Sequence, residues 1–504
     1  MWPRQDRDRF ISAPAAPIIT KIFLRMIMKF HRILPFALLA MAGVTEAGAT
    51  VSLDSCRNMA LRNNKTLRMA EEAIRGAGYE RKAAFAAYLP GIDFTGGYMY
   101  NQHQIELLGA DAKLPTMSFD PATQTFKYNI LTTPDGTPVR DPSSGSLIPT
   151  EVAVIPKEAM EFDTHNVFAG AFTLTQPIFM GGMIKAMNDI TRYAENIAVA
   201  MRNSAAEDVV YGVDQAYWTV VSLKEKKKLA DSFVTLVDSL NYTVQAFLDE
   251  GMATRADLLT VQVKLNEARI AATKVDNGLH LSRMALAQVC GLPVDEHMEL
   301  ADESGIAPSE PEPREIDMAD VYSRRQDLEA LRQGISLLGG RERLARGMML
   351  PKIAAVGSYS FSNPNVIHGF EKKFGGGFSV GATVTIPLWH WGQNYNHYRA
   401  TKATTNAQRM MLEDLEEKVT LQVRQAKYSY DEAYKTYAMT VKNLESADEN
   451  LRSARIGYQE GVLTADDVIA AQTAWLAAHS EKIDAEIGIR LCDTYLSKVL
   501  GTLH

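Results

Sequence analysis

The segment Gly377-Phe378-Ser379-Val380-Gly381 has the spacing of a hydrolase nucleophile elbow. In that motif a serine on a sharp strand-to-helix turn attacks an acyl carbon. Its surroundings deny it that chemistry: apolar alternation continues on both sides of Ser379, so the serine lies within a strand, and no His or Asp stands in an arrangement that ties to it. A second constellation occurs twice. Glu250-Gly251-Met252-Ala253-Thr254-Arg255-Ala256-Asp257-Leu258 is answered by Glu460-Gly461-Val462-Leu463-Thr464-Ala465-Asp466-Asp467-Val468. A threonine followed three residues later by a carboxylate predicts a helix cap, in which the hydroxyl accepts from first-turn amides and the carboxylate reaches back. Gating does not conflict with capping, because an aspartate that starts a helix at a bore adds charge to a ring, and acidic rings favour cations. The sequence holds no phosphate-binding G-x-x-x-x-G-K-[ST], no H-E-x-x-H and no clustered metal ligands, so no cofactor and no metal are expected. Cys56, Cys290 and Cys492 are scattered and odd in number, which points to neither a disulfide framework nor a zinc site.

The two threonine-aspartate turns are 210 residues apart, and other pairs share that offset. Gln176-Pro177-Ile178-Phe179 and Gly182 match Ile386-Pro387-Leu388-Trp389 and Gly392, and Gly291 matches Gly501. The chain therefore reads as two copies of one unit. Upstream the offset becomes 261, from Leu67 with Leu328 and Leu89-Pro90 with Leu350-Pro351. The extra length of the first copy falls within 101–166, whose Thr-Pro-Asp-Gly and Asp-Pro-Ser-Ser-Gly runs mark a long loop. In the second copy 363–375 makes the same connection briefly.

Between the prolines of each copy the apolar period is two. Ile92, Phe94, Gly96, Tyr98 and Tyr100 share one strand face, and Ile353, Ala355, Gly357, Tyr359 and Phe361 share its counterpart. Phe168, Gly170, Phe172 and Leu174 form the returning strand, answered by Phe378, Val380, Ala382, Val384 and Ile386, while the opposite faces carry Ser, Thr, Ala and Gly. Strands are expected at about 91–100, 167–176, 353–362 and 377–386, each about ten residues long, the length that a tilted strand needs to cross a bilayer. Four strands cannot close a barrel, and an open edge in lipid leaves backbone groups unpaired, so copies must join.

Elsewhere the spacing alternates three and four. Leu258, Val261, Leu265, Ala268, Ala272, Val275, Leu279, Ser282, Leu286 and Val289 run without a break, and adding 210 gives a mostly apolar second seam from Val468 to Val499. Such seams predict long helices packed side by side. Pro90, Pro177, Pro351 and Pro387 fall where one period gives way to the other and are expected as barrel-helix junctions. Trp389, His390, Trp391, Tyr395 and Tyr398 resemble an interfacial aromatic belt.

The start of the chain carries an export signal: Lys29, His31 and Arg32, the apolar run Ile33 to Val44, then Ala47-Gly48-Ala49 as a small-x-small cleavage site. Residues 1–49 are expected as leader, 50–292 as first repeat, 293–316 as a linker or equatorial region, and 317–504 as second repeat. The formal charge of −7 falls to −11 without the leader, because residues 1–49 hold seven Lys/Arg and three Asp/Glu and the rest 46 against 57. An acidic surface argues against a nucleic-acid partner. After Ala49 no apolar run reaches the roughly 18 residues of a membrane-spanning helix, so a membrane crossing must use strands.

Signal, doubled unit, strand pairs and paired tip turns together resemble the TolC-like outer-membrane efflux family, over roughly 52–503. The resemblance implies a mainly α fold with membrane β: a long-helix α-barrel in the periplasm plus four transmembrane strands per protomer, twelve in a homotrimer. It implies an outer-membrane exit duct, not an enzyme, for a tripartite efflux or type I secretion system. Its partners would be a periplasmic adaptor, an inner-membrane pump of RND or ABC type, and outer-membrane lipid. On that resemblance Tyr458 and Asp467 help to close the periplasmic entrance, with Asp257 at the equivalent first-repeat tip, and the turns at Gly251, Thr254, Gly461 and Thr464 meet the adaptor. The chain departs from the pattern at Leu463, where members with a second-repeat tip arginine carry it, and Arg255 of the neighbouring turn is the candidate substitute. The competing reading is a non-transporting periplasmic coiled-coil protein, which accounts for the seams but not for the strand pairs.

Overall fold

Long three-four seams can be satisfied only by helices that lie alongside one another, and the computed structural model realises them as two helical hairpins that flank one sheet. It describes residues 50–295, 298–301 and 315–503. The expected leader and most of the expected linker lie outside those residues. All elements below belong to one unit that begins at Ser52.

In the first repeat α1 is Leu53–Asn63, α2 Lys65–Ala86, α3 Met183–Asp249 and α4 Arg255–Val289. In the second, α5 is Met318–Arg324, α6 Gln326–Gly347, α7 Gln393–Gln459 and α8 Ala465–Val499. Helices α3 and α7 are both 67 residues, on the order of 100 Å at 1.5 Å per residue. Each starts after a left-handed glycine, Gly182 or Gly392. The pairs α3/α7 and α4/α8 repeat at an offset of 210, and α2/α6 at 261. The seams are the packing surfaces: Leu258, Val261, Leu265, Ala268, Leu279 and Leu286 of α4 are buried, as are Val468, Ala471, Ala478, Ile489, Leu496 and Val499 of α8. No described helix is long and apolar enough to cross a membrane.

The main sheet contains β1 (Gly91–Tyr100), β8 (Asn166–Met180), β9 (Lys352–Asn363) and β10 (Gly375–Thr385), in that order and antiparallel throughout. Its register aligns one row across all four strands, Phe94, Phe172, Tyr359 and Phe378. The next row is Ile92, Leu174, Gly357 and Val380. Paired residues point the same way, so the four apolar faces expected from the sequence merge into one. Serines, threonines, alanines and glycines predominate on the other, which also carries Asp93, Met99, Val167 and Val356. Aromatic rings reinforce the apolar face, with Phe94 and Phe172 centred 4.8 Å apart, as are Tyr98 and Phe168. Gly170 leaves room for the Phe361 ring, since a Cβ there would lie 2.6 Å from Phe361 Cζ. In the single chain this face is open, with Phe378 83% and Val380 81% exposed.

Two details differ from expectation. Strand β8 does not stop before Pro177 but continues to Met180. The proline sits at a bulge where β8 pairs only with β9, because the β1 ladder ends at Gly91 opposite Thr175, so its missing N–H breaks no bond on that side. Pro90, Pro351 and Pro387 do flank strand ends. The 101–166 segment is not featureless: β2 (Ile105–Glu106), β3 (Ala112–Pro115), β4 (Met117–Asp120), β5 (Thr125–Tyr128), β6 (Val152–Ile155) and β7 (Glu161–Phe162) form ladders β2-β7, β3-β6 and β4-β5. As the alternation predicts, Ser379 lies inside β10 opposite Ser358, so the elbow spacing is a coincidence of a glycine-rich strand.

Candidate functional site at the helical tips

The ends of the hairpins farthest from the sheet in sequence are two turns of the same build. Gly251 and Gly461 take φ of 76° and 73°, a left-handed conformation that costs a residue with a Cβ more than glycine. Each turn folds back on its helix, with Met252 N–H donating to Phe247 O at 2.7 Å and Val462 N–H to Gly457 O at 2.8 Å. The next helix then starts with a complete capping box. Asp257 N–H donates to Thr254 Oγ1 at 3.2 Å, while Thr254 N–H and Oγ1 donate to Asp257 Oδ2 at 2.8 and 2.7 Å. The second box matches it, at 3.3 Å for Asp467 N–H to Thr464 Oγ1 and 2.9 and 2.7 Å for the return bonds to Asp467 Oδ2.

These bonds set the charge of the tips. Asp257 is held below the ordinary carboxylate range first by the Thr254 backbone N–H and then by its hydroxyl. Asp467 is lowered likewise, by the Thr464 hydroxyl and then the backbone N–H. Both carboxylates are therefore anionic at neutral pH.

Tyr458 does not project from the tip. It is 8% exposed, its ring centred 5.4 Å from Phe247, within a core that includes Val244, Leu258, Val261 and Val468. Its placement joins the two hairpins, and its hydroxyl pKa is raised by that burial and then by the Asp257 charge. Within the single chain Asp257 thus lies in the electrostatic reach of Tyr458. Arg255 is exposed and makes no ion pair with either aspartate among the described residues. Leu463 closes on Gly457, where an added Cβ would lie 2.8 Å from Leu463 Cδ1. The second turn is thus sealed by apolar contact at the position where an arginine would offer charge.

Sequence reasoning missed the polar groups halfway along the helices. Arg57 of α1 donates from Nε and Nη2 to the two carboxylate oxygens of Asp214 on α3, at 2.7 and 2.5 Å, and Asp214 is 0% exposed. Asp214 interrupts a stripe formed by the buried Val210, Tyr217 and Val221, a signal that could have marked it as buried. Its partner, 157 residues away, had none. Nearby, Glu207 is pushed up to about 7, by burial first, with the Arg325 charge opposing and Asp327 adding to the rise.

A family model described as outer membrane efflux protein matches residues 150–292 and 319–502, one span in each repeat. Protein CyaE of Bordetella pertussis is 24% identical over 238 residues, 46% of this chain and 49% of that protein. The chain thus matches about half the length of that curated relative. Among solved structures, CusC superposes with a TM-score of 0.70 at 15% identity, covering 92% of this chain and 95% of that one. The Neisseria gonorrhoeae MtrE outer membrane channel, in its open state, gives 0.65 at 17%, covering 90% and 89%. At such identities these structures establish a shared fold.

Proposed function

Because the chain belongs to the outer membrane efflux protein family, we propose that it is one subunit of a homotrimeric duct through which an inner-membrane pump discharges across the outer membrane. It is an outer-membrane channel protein and not an enzyme. The observation that carries the duct reading is the open sheet. One face is apolar and exposed, the other small and polar, and the outer edges of β1 and β10 have no partner among the described residues. Unpaired edges cannot stay in lipid. The strands alternate in direction, so β10 of one copy meets β1 of the next antiparallel. Three copies give the twelve strands implied by the family resemblance, with the apolar face toward lipid and the small face toward water.

In this reading the long hairpins continue the duct into the periplasm, and their tips form its entrance. Asp257 and Asp467 line that entrance as a fixed acidic ring, Tyr458 and Arg255 set how closely neighbouring tips approach, and the turns at Gly251, Thr254, Gly461 and Thr464 receive an adaptor protein. The duct is passive, and an RND or ABC type pump supplies the work. A stalk of coiled coils would need no amphipathic sheet, which disfavours a purely structural role.

The test is assembly with conduction. Purified in detergent, the protein is expected to run as three copies by native mass spectrometry and to conduct ions in planar bilayers, with small closed-state currents that rise when the tips are loosened. A protein that stays single and soluble without detergent, or inserts without conducting, defeats this reading.

A further inference from the structure

The connection between β9 and β10 does not simply reverse the chain. After Asn363 it bends over the small-residue face of the sheet. The Asn365 side chain accepts from Ile367 N–H at 3.0 Å and lies against Gly375, where an added Cβ would be 1.9 Å from Asn365 Nδ2. Ile367 Cδ1 would be 3.1 Å from a Cβ at Gly377. The turn therefore depends on two glycines that make space beneath it. Val366 and Ile367 roof a shallow cavity of about 440 Å³ whose floor includes Thr95, Ala171 and Ser360, so the overhang spans strands from both repeats. The far arm of the turn is tied down: Phe370 packs on Phe162 at 5.1 Å, and Lys372 Nζ lies 2.5 Å from Asp163 Oδ2. Asp163 is held well below the usual carboxylate range, by Lys372 first and then by the His165 backbone N–H.

Two aliphatic side chains held over this face by a turn, instead of lying within a strand, are out of place unless that side encloses something. Both are more than half exposed in the single chain. Resting on the duct reading above, in which this face lines the bore, we infer that Val366 and Ile367 of the three copies form an apolar constriction at the distal mouth. It would be a second barrier in series with the acidic tips. A ring of aliphatic side chains resists hydrated ions by dewetting while it yields to apolar cargo. The two ends of the duct then select differently, the entrance by charge and the exit by hydration.

Ser358 lies on the same small face, four residues further down β9 and about 13 Å below Ser362 at 3.3 Å per residue. The experiment labels Ser358→Cys from outside intact cells with a charged methanethiosulfonate reagent, using the unsubstituted chain to subtract its three native cysteines. Replacing Val366 and Ile367 together by serine should speed labelling roughly tenfold. Equal, fast labelling in both backgrounds overturns the constriction and leaves the duct standing. No labelling in either, even by a small neutral maleimide, means that this face meets no water, and the duct reading falls with it. Should the double serine variant fail to form trimers, Ile367→Cys serves alone. A short bifunctional thiol cross-linker should join neighbouring subunits through it, and absence of that cross-link refutes the inference.

Discussion

Positions 210 residues apart occupy the same places in the two repeats, yet the tips and the middle of the molecule treat that equivalence differently. At the tips the chemistry is duplicated: Thr254 with Asp257 and Thr464 with Asp467 make the same bonds to within about 0.1 Å. Halfway along the helices it is not. Asp214 is buried against Arg57, whereas its counterpart Arg424 is exposed. Glu207 is half-buried, whereas its counterpart Glu417 is exposed. A cap is local and copies with its own few residues, whereas a buried charge depends on partners elsewhere in the chain. Duplication therefore preserves the first kind of interaction without effort and the second only by coincidence.

The largest effect that separates the repeats lies at Asp214. Arg57→Met should destabilise the protein by about 3 kcal/mol, because it leaves a buried carboxylate without its cation. Arg424→Ala should change stability by less than about 0.5 kcal/mol. Denaturant unfolding of the detergent-purified protein measures both, and equal effects would erase the asymmetry. Next come Tyr458 and its counterpart Leu248, which is only partly buried at the edge of the same core. Tyr458→Ala should cost about 3 kcal/mol and Leu248→Ala about 1 kcal/mol, read as lost amide-exchange protection along α7 and α3.

Smaller, and equal between repeats, is the loss from Thr254→Ala and Thr464→Ala, about 1 kcal/mol each. Amide exchange at the first turns of α4 and α8 would show it, and a silent cap on one side would break the symmetry claimed for the tips. The remaining effect is one of pH. The folded-state pKa of Glu207 lies above its ordinary value, so its contribution to stability is full below about 4.5 and is lost as pH rises to about 7. Melting temperatures of Glu207→Gln should therefore vary less between pH 4.5 and 7 than those of the unsubstituted protein, while Glu417→Gln should follow the latter. The tip aspartates respond the opposite way. Their folded pKa values are depressed, so what the boxes contribute is present above the ordinary carboxylate range and fades only as pH falls through it.

What could be read beforehand follows the same division. The paired strand faces were legible because Phe94, Phe172, Tyr359 and Phe378 each belong to an alternating run, and alternation is written within a few residues. The seams of α4 and α8, and both capping boxes, were legible for the same reason. Pro177 misled because a proline inside a strand is tolerated only where one side lacks a neighbour, a fact of sheet order and not of sequence. The ladders β2 to β7 escaped notice because strands of two to four residues are too short to show a period. The Arg57–Asp214 pair and the overhang of Ile367 on Gly377 depend on contacts between distant segments or across a turn, and neither has a periodic signature. The family resemblance marked Tyr458 as a tip residue, but the core into which it inserts left no mark in the sequence.

The middle seam of the sheet is the ladder of β8 with β9, which runs from Phe168 opposite Asn363 to Met180 opposite Lys352. The first half holds only the β1–β8 pair, bare at both edges, and the β8 edge is covered only when the second half supplies β9. That bare edge must wait for the second half to be delivered. For that interval the nascent subunit is a sticky half-sheet in an aqueous compartment, and long-range pairing of this kind is slow and prone to misassociation.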